Sequence, residues 1–143
     1  MKIFLGSDHA GFKLKAKIID YLQSEKIDFE DCGTHSEESC DYPDYAHKVA
    51  KSIKPDLSKN KGIVICNSGN GINMTVNKYA YIRSALCWNK EIAMFAKRHN
   101  DANILSLPAG YISEQEALEC VKAFFSETFE GGRHERRVKK IAC

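Results

Sequence analysis

Lys61–Lys78, KGIVICNSGNGINMTVNK, decides the fold. Ile63, Val64 and Ile65 form a short β-branched run ending at Cys66, the signature of a strand buried on both faces. Asn67-Ser68-Gly69-Asn70-Gly71 follows, five small residues suited to a tight turn with exposed backbone N–H groups. Ile72, Thr75, Val76 and Tyr79 then recur at helical spacing, so a helix starts near Gly69–Gly71. A strand, a glycine-rich turn and a helix N-terminus gather unpaired donors and the positive end of a helix dipole at one point. An anion, or an oxyanion formed in a reaction, is stabilised there. Cys66 stands on the lip, where the same dipole favours a thiolate. The stretch reads equally as a tight strand-to-helix turn that happens to carry a cysteine.

Outward from this unit the pattern repeats. Lys2–Ser7 reads as a buried strand, Asp8–Gly11 as a polar turn, and Leu14, Ile18, Tyr21 and Leu22 as a helical stripe ending near Glu25. Ile27–Cys32 is a second strand. His35–Pro43 is a polar loop, followed by a helix marked by Ala46, Val49, Ala50 and Ile53 and ended at Lys54-Pro55. Ile82–Cys87 and Ala102–Leu107 supply two more strands. Ile92, Phe95, Ala96 and His99 share one helix face, and Ala117, Cys120, Val121 and Phe124 another. Basic Gly131–Lys140 comes last. Five strands alternating with helices predict an α/β fold: a three-layer sandwich around a doubly wound, five-stranded parallel sheet with right-handed crossovers. Ligands bind beyond the carboxyl ends of such strands, which puts Asp8-His9, Cys66–Gly71 and the loop after Leu107 on one rim.

The 143 residues suit a single domain, 1–143. A net charge of +2 is too small to suggest a nucleic-acid or membrane partner, and no apolar run approaches the ~18 residues of a membrane span. The apolar start is too short for a signal peptide. The six cysteines, none in a CxxC pair, fit free thiols in a reducing, cytoplasmic setting rather than a zinc or disulfide framework.

Two motif readings fail on single residues. Gly6–Lys13 has the outline of a phosphate-binding P-loop, but Phe12 stands where lysine must follow the second glycine. Asp8 and His9 then read as ligand contacts on a strand-end turn, or as a plain turn with an Asp cap. Cys66 with its glycine-rich loop has the outline of a cysteine phosphatase, but position 72, where that chemistry needs arginine, is isoleucine. His99 reads as a partly buried structural residue or, given the polar run His99–Asn103, as part of a pocket or interface. Arg133 and Arg137, four apart with Lys140 one turn on, read as a solvated basic face or a phosphate clamp.

Taken together, GSDHAGF (6–12), DCGTHS with DYPDYA (31–46), GIVIC with SGNGI (62–72), NK (77–78), RHNDANIL (98–105) and EGGRHERRV (130–138) resemble the ribose-5-phosphate isomerase B family. That family also holds allose-6-phosphate and galactose-6-phosphate isomerases. The resemblance spans nearly the whole chain. It implies a homodimer or dimer of dimers with shared sites, and a metal-free, cofactor-free interconversion of ribose 5-phosphate and ribulose 5-phosphate in the non-oxidative pentose phosphate pathway. By motif, Cys66 would be the base moving a proton between C1 and C2, and His99 would assist ring opening. Ser68 and the backbone of Asn67, Gly69, Asn70 and Gly71 would hold the enediolate. Asp8 would bind sugar hydroxyls. His9, Arg133 and Arg137 would bind the phosphate, with Tyr42 nearby. His99, Asn100 and the arginines would come from the second chain, with the basic 131–143 segment at the interface.

Two positions depart from the family pattern. Asn67 replaces the glycine usual after the cysteine, narrowing the approach to the loop. Gly110 stands where many members carry a further phosphate-binding arginine, leaving that work to Arg133 and Arg137 or a neighbour such as Arg136. A six-carbon sugar phosphate keeps the chemistry and changes the substrate. A non-catalytic phosphate-ligand module is the reading of another class. Cys66, Ser68 and His99 together favour the enzyme, since a sensor needs neither base nor ring-opening acid.

Overall fold

Ile63 and Ile65 turn to one side of the sheet and join the core cluster of Ile18, Leu22, Leu105, Val121 and Phe124. Val64 and Cys66 turn to the other and join Phe4, Val49, Ile53, Ile72 and Ile104. This period-two split places Cys66 on a chosen face. The computed structural model describes residues 1–141, so Cys143 and the end of the basic segment lie outside the described residues.

The strands are β1 (Lys2–Ser7), β2 (Asp28–Asp31), β3 (Asn60–Cys66), β4 (Ser84–Leu86) and β5 (Ile104–Pro108). The helices are α1 (Phe12–Ser24), α2 (Tyr42–Ile53), α3 (Asn70–Val76), α4 (Lys90–Asn100), α5 (Glu114–Ser126) and α6 (Arg133–Val138). The sheet is wholly parallel in the order β2-β1-β3-β5-β4. Helices α1, α4 and α5 pack over one face, α2 and α3 over the other, and α6 leans on α4. The doubly wound sandwich expected from the sequence is the observed fold.

The chain leaves β1 toward β2 and leaves β3 toward β4, in opposite directions. The adjacent carboxyl ends of β1 and β3 therefore frame the crevice where such folds take ligands. β1, β3 and β5 are buried along most of their length, whereas the edge strands β2 and β4 are half-exposed and shorter than expected. Edge strands have a neighbour on one side only, so their ladders end sooner. Tyr42 and Pro43, read above as loop, form the first turn of α2; proline suits that turn because its missing N–H has no helical partner there. Lys140 lies beyond the end of α6 rather than on it.

Some ends are pinned by local chemistry. Ser113 and Glu116 form a reciprocal capping box on α5, and Asn89 accepts from the Ile92 N–H at the start of α4. The loop after β2 is pinned by a long-range pair. The Lys15 ammonium, 1% exposed, bonds the Asp31 carboxylate and donates to the Thr34 carbonyl at 2.8 Å. Asp31 also accepts the Gly33 N–H at 2.9 Å.

Lys15→Met keeps the volume but strands Asp31 and the Thr34 carbonyl. It should lower stability by about 3 kcal/mol, as expected when one partner of a buried pair is removed. Urea denaturation measures this, and an unchanged midpoint would contradict the role given to Lys15.

Candidate active site

At the carboxyl edge the structure gathers one group of the expected residues. Cys66 closes β3 and is 4% exposed. Gly69, at φ +73°, turns the chain in the left-handed region so that α3 begins at Asn70. The main-chain N–H groups of Ser68, Gly69 and Ile72 consequently lie around the Cys66 sulfur. Ser68 Oγ accepts the Asn70 N–H at 3.3 Å, tightening the loop. Ser106 Oγ donates to the Gly69 carbonyl at 3.0 Å and fixes it from beneath.

Asp8, in the turn after β1, is 6% exposed and accepts the Gly11 N–H at 3.0 Å. His9 accepts the Cys40 N–H on Nδ1 at 3.2 Å. That bond leaves Nε2 to carry the proton and to serve as a donor. Tyr42 reaches the same crevice from the start of α2. Its ring lies over Gly71, where an added Cβ would come within 2.5 Å of it. Asp8, His9, Tyr42, Cys66, Ser68 and the Gly69–Gly71 turn thus share one rim, as the strand ends required.

One expectation is corrected. The loop and helix terminus do not leave Cys66 with a lowered pKa: burial pushes the thiol up. The N–H groups of Ile72 and Gly69 pull it back, the Asp8 carboxylate pushes it up again, and the Ser68 N–H pulls it down. The first turn of a short helix cannot offset full removal of the sulfur from water. The same donors remain poised for negative charge that forms beside the sulfur.

The two departures from the family pattern meet in space. The Asn67 side chain lies over Gly110: a Cβ there would sit 2.3 Å from Asn67 Oδ1. Backbone bonds tie the same loops, Ala109 N–H to the Cys66 carbonyl at 3.0 Å and Gly110 N–H to the Asn67 carbonyl at 2.8 Å. Asn67 therefore fills the space that a side chain at position 110 would need, and the two positions form one contact.

The remaining expected residues form a second group elsewhere. His99 and Asn100 end α4, which runs antiparallel to the strands and so finishes at the amino edge of the sheet. From Ile104 to Pro108, β5 alone separates the two edges by about 13 Å, at ~3.3 Å per residue. His99 stacks on Phe95 at 4.7 Å and on His134 at 4.2 Å, the two imidazoles within 5° of parallel. Arg133 and Arg137, on α6, are exposed beside this stack. Within one chain, then, His99, Asn100, Arg133 and Arg137 do not face Cys66.

The reading of the sequence missed Glu130 and His134 as partners of His99. Glu130 Oε2 lies 3.7 Å from Nε2 of both imidazoles. Their i, i+4 spacing was visible within EGGRHERRV, but the contact with His99 is long-range and has no local signal. Burial, with the His99 ring and the Arg133 guanidinium, holds His134 below the ordinary imidazole pKa. The ligand atoms of His99, Glu130 and His134 lie within 4.8 Å of one another. Because the rings are parallel, their in-plane lone pairs do not converge on one ion without a ring rotation.

Gly110→Ala should drive the Asn67 carboxamide off its seat and reduce kcat/KM. Asn67→Gly combined with Gly110→Ala should recover most of the loss, with a coupling of roughly 1–2 kcal/mol. Additive effects in the steady-state kinetics of the two single variants and the double variant would contradict a shared contact.

Comparison with known proteins agrees with this geometry. The family model described as Ribose/Galactose Isomerase matches residues 3–141. A crystal structure of a ribose 5-phosphate isomerase from Thermotoga maritima superposes with a TM-score of 0.95 at 48% identity, covering 99% of this chain and 97% of that one. Ribose-5-phosphate isomerase B from Mycoplasma genitalium, solved with bound ribulose-5-phosphate, gives a TM-score of 0.94 at 37% identity, with coverages of 98% and 93%. Ribose-5-phosphate isomerase B of Escherichia coli is 38% identical over 142 residues, covering 99% of this chain and 95% of that protein. With matches of this length and identity joined to a shared fold, the chain belongs to the Ribose/Galactose Isomerase family.

Proposed function

We propose that this chain interconverts D-ribose 5-phosphate and D-ribulose 5-phosphate. The observation that carries the reading is the Cys66 sulfur, held in a crevice among the Ser68, Gly69 and Ile72 N–H groups and facing Asp8. In the open-chain aldose phosphate the Cys66 thiolate takes the proton from C2. The C2–H electron pair becomes the C1=C2 bond of an enediolate, and O1 takes the negative charge. The O2 proton passes to O1, the thiol returns its proton to C1, and the O2 electron pair forms the C2=O2 carbonyl of the ketose, leaving O1 as a hydroxyl and Cys66 as the thiolate. Main-chain donors that meet charge only as the enediolate develops lower the barrier rather than merely tightening binding. Asp8 binds sugar hydroxyls, and His9 offers its Nε2–H to the phosphate.

The amino-edge group supplies the rest from a second copy of the chain. His99 gives a proton to the furanose ring oxygen as the C1–O4 bond breaks, while the O1 hydroxyl gives its proton to solvent water and its electron pair forms the C1=O1 carbonyl. Asn100, Arg133 and Arg137 bind the phosphorylated end, where paired guanidinium groups match phosphate. A homodimer, or a dimer of dimers, with α6 and the segment around it at the interface would bring the two edges together. Trp88 (53% exposed) and Tyr111 (75% exposed), beside a hollow of about 440 Å³ lined also by Ser68, Asn70, Leu86 and Pro108, give such an interface apolar surface at the carboxyl edge. No helix of the described residues is long and apolar enough to cross a membrane. Free cysteines at positions 32, 40, 66, 87 and 120 suit the reducing cytoplasm. The five-carbon substrate is favoured over a six-carbon phosphate by the Escherichia coli and Mycoplasma genitalium relatives, named as ribose-5-phosphate isomerases, the latter with ribulose-5-phosphate bound.

Cys66→Ala should reduce kcat on ribose 5-phosphate by 10²-fold or more, the range of a lost general base, while ligand binding by calorimetry persists. Because the Cys66 thiol is pushed up, wild-type kcat/KM should rise with pH across the neutral range as the thiolate fraction grows. Substantial turnover by the variant, or a falling profile over that range, would remove Cys66 from the role of base.

A further inference from the structure

The cluster around His99 holds a carboxylate to which the reaction above assigns nothing. Glu130 is fixed at both ends. Its N–H donates to the Arg98 carbonyl at 3.0 Å, and its Oε1 accepts from the Arg98 guanidinium at 2.6–2.7 Å. That leaves Oε2 turned to the imidazoles, 3.7 Å from His99 Nε2 and 3.7 Å from His134 Nε2.

The two rings are not equivalent. His134 Nε2 accepts from Arg133 Nε at 3.4 Å, so its proton belongs on Nδ1 and the ring is neutral. Among the described residues no group donates to His99 Nε2, and the ring is stacked on Phe95 and His134. The charged groups around the pair are Arg98 on α4, Glu127 after α5 (3.8 Å from Arg98), Glu130, and Arg133 and Arg137 on α6. Glu127 and Glu130 both pair with Arg98, and it is Glu130 whose second oxygen, Oε2, lies 3.7 Å from His99 Nε2.

We propose that Glu130 is the positioning residue for His99: its Oε2, 3.7 Å from His99 Nε2, orients the ring for the proton transfer of ring opening, while neutral His134, stacked at 4.2 Å, serves as the platform that fixes the plane. The inference rests on the reading that His99 donates to the furanose oxygen. It assigns Glu130 no contact with the sugar. Supporting groups of this kind commonly change activity 10- to 100-fold when lost, as hydrogen-bond partners of ligating histidines do, and contacts that are long in a free protein tighten when substrate binds.

The test uses Glu130→Gln, which keeps shape and removes charge, beside His99→Asn. Ribulose 5-phosphate has its C5 oxygen esterified and cannot close a furanose ring. Exchange of its C1 protons with D2O therefore reports Cys66 chemistry without ring opening. Glu130→Gln should lower ribose 5-phosphate turnover about 10-fold or more. Exchange into ribulose 5-phosphate should fall far less. Wild-type turnover in Glu130→Gln, with turnover lost in His99→Asn, would overturn the role of Glu130 and leave the His99 reading standing. Equal losses of turnover and exchange would reduce Glu130 to a structural part. Unimpaired turnover in His99→Asn would overturn the ring-opening reading itself.

Discussion

A parallel sheet imposes one direction on its chemistry. Each strand ends at the same edge, and each crossover helix must carry the chain back to the other before the next strand begins. Cys66, at the end of β3, and His99, at the end of α4, are consequently held on opposite edges of one rigid layer. No loop movement of ordinary size brings them together. The constraint that places Cys66 in the crevice at β1 and β3 therefore keeps His99 and its neighbours out of that crevice within one chain.

The two groups of residues differ in character. At the carboxyl edge the important groups are backbone donors, with Ser106 and the Ala109 and Gly110 N–H groups holding the loop in place. Such donors are pre-aligned by the sheet and need little reorganisation as charge develops. At the amino edge the groups are side chains on helices, stacked and ion-paired: Phe95, His99, His134, Arg98 and Glu130. Long cationic side chains such as Arg133 and Arg137 gain order when an anion arrives, which suits capture of a phosphate more than acid–base chemistry.

Much of the fold was legible because its signals are local. The β-branched run at Ile63–Ile65, the stripes at Ala46–Ile53 and Ala117–Phe124, and the glycine-rich turn after Cys66 each predict the element that formed. Boundaries moved where tertiary context decides, as at edge strands β2 and β4 and at Tyr42-Pro43. Within the site, the rim of Asp8, Cys66 and Gly71 followed from strand direction alone. The Lys15–Asp31 pair, the seat of Asn67 over Gly110 and the Glu130–His99 approach did not, since each joins residues whose separation carries no period. The sign of the Cys66 shift was misread because a sequence shows the helix terminus and hides the depth of burial.

The central claim is that each complete site takes Cys66 from one copy and His99 with its arginines from another. Cys66→Ala and His99→Asn proteins, each nearly inactive alone, can be unfolded together and refolded as an equal mixture. About half of the dimers would then pair unlike chains, each with one intact site, so activity should return to about one quarter of wild type. A mixture no more active than its two components would contradict the account.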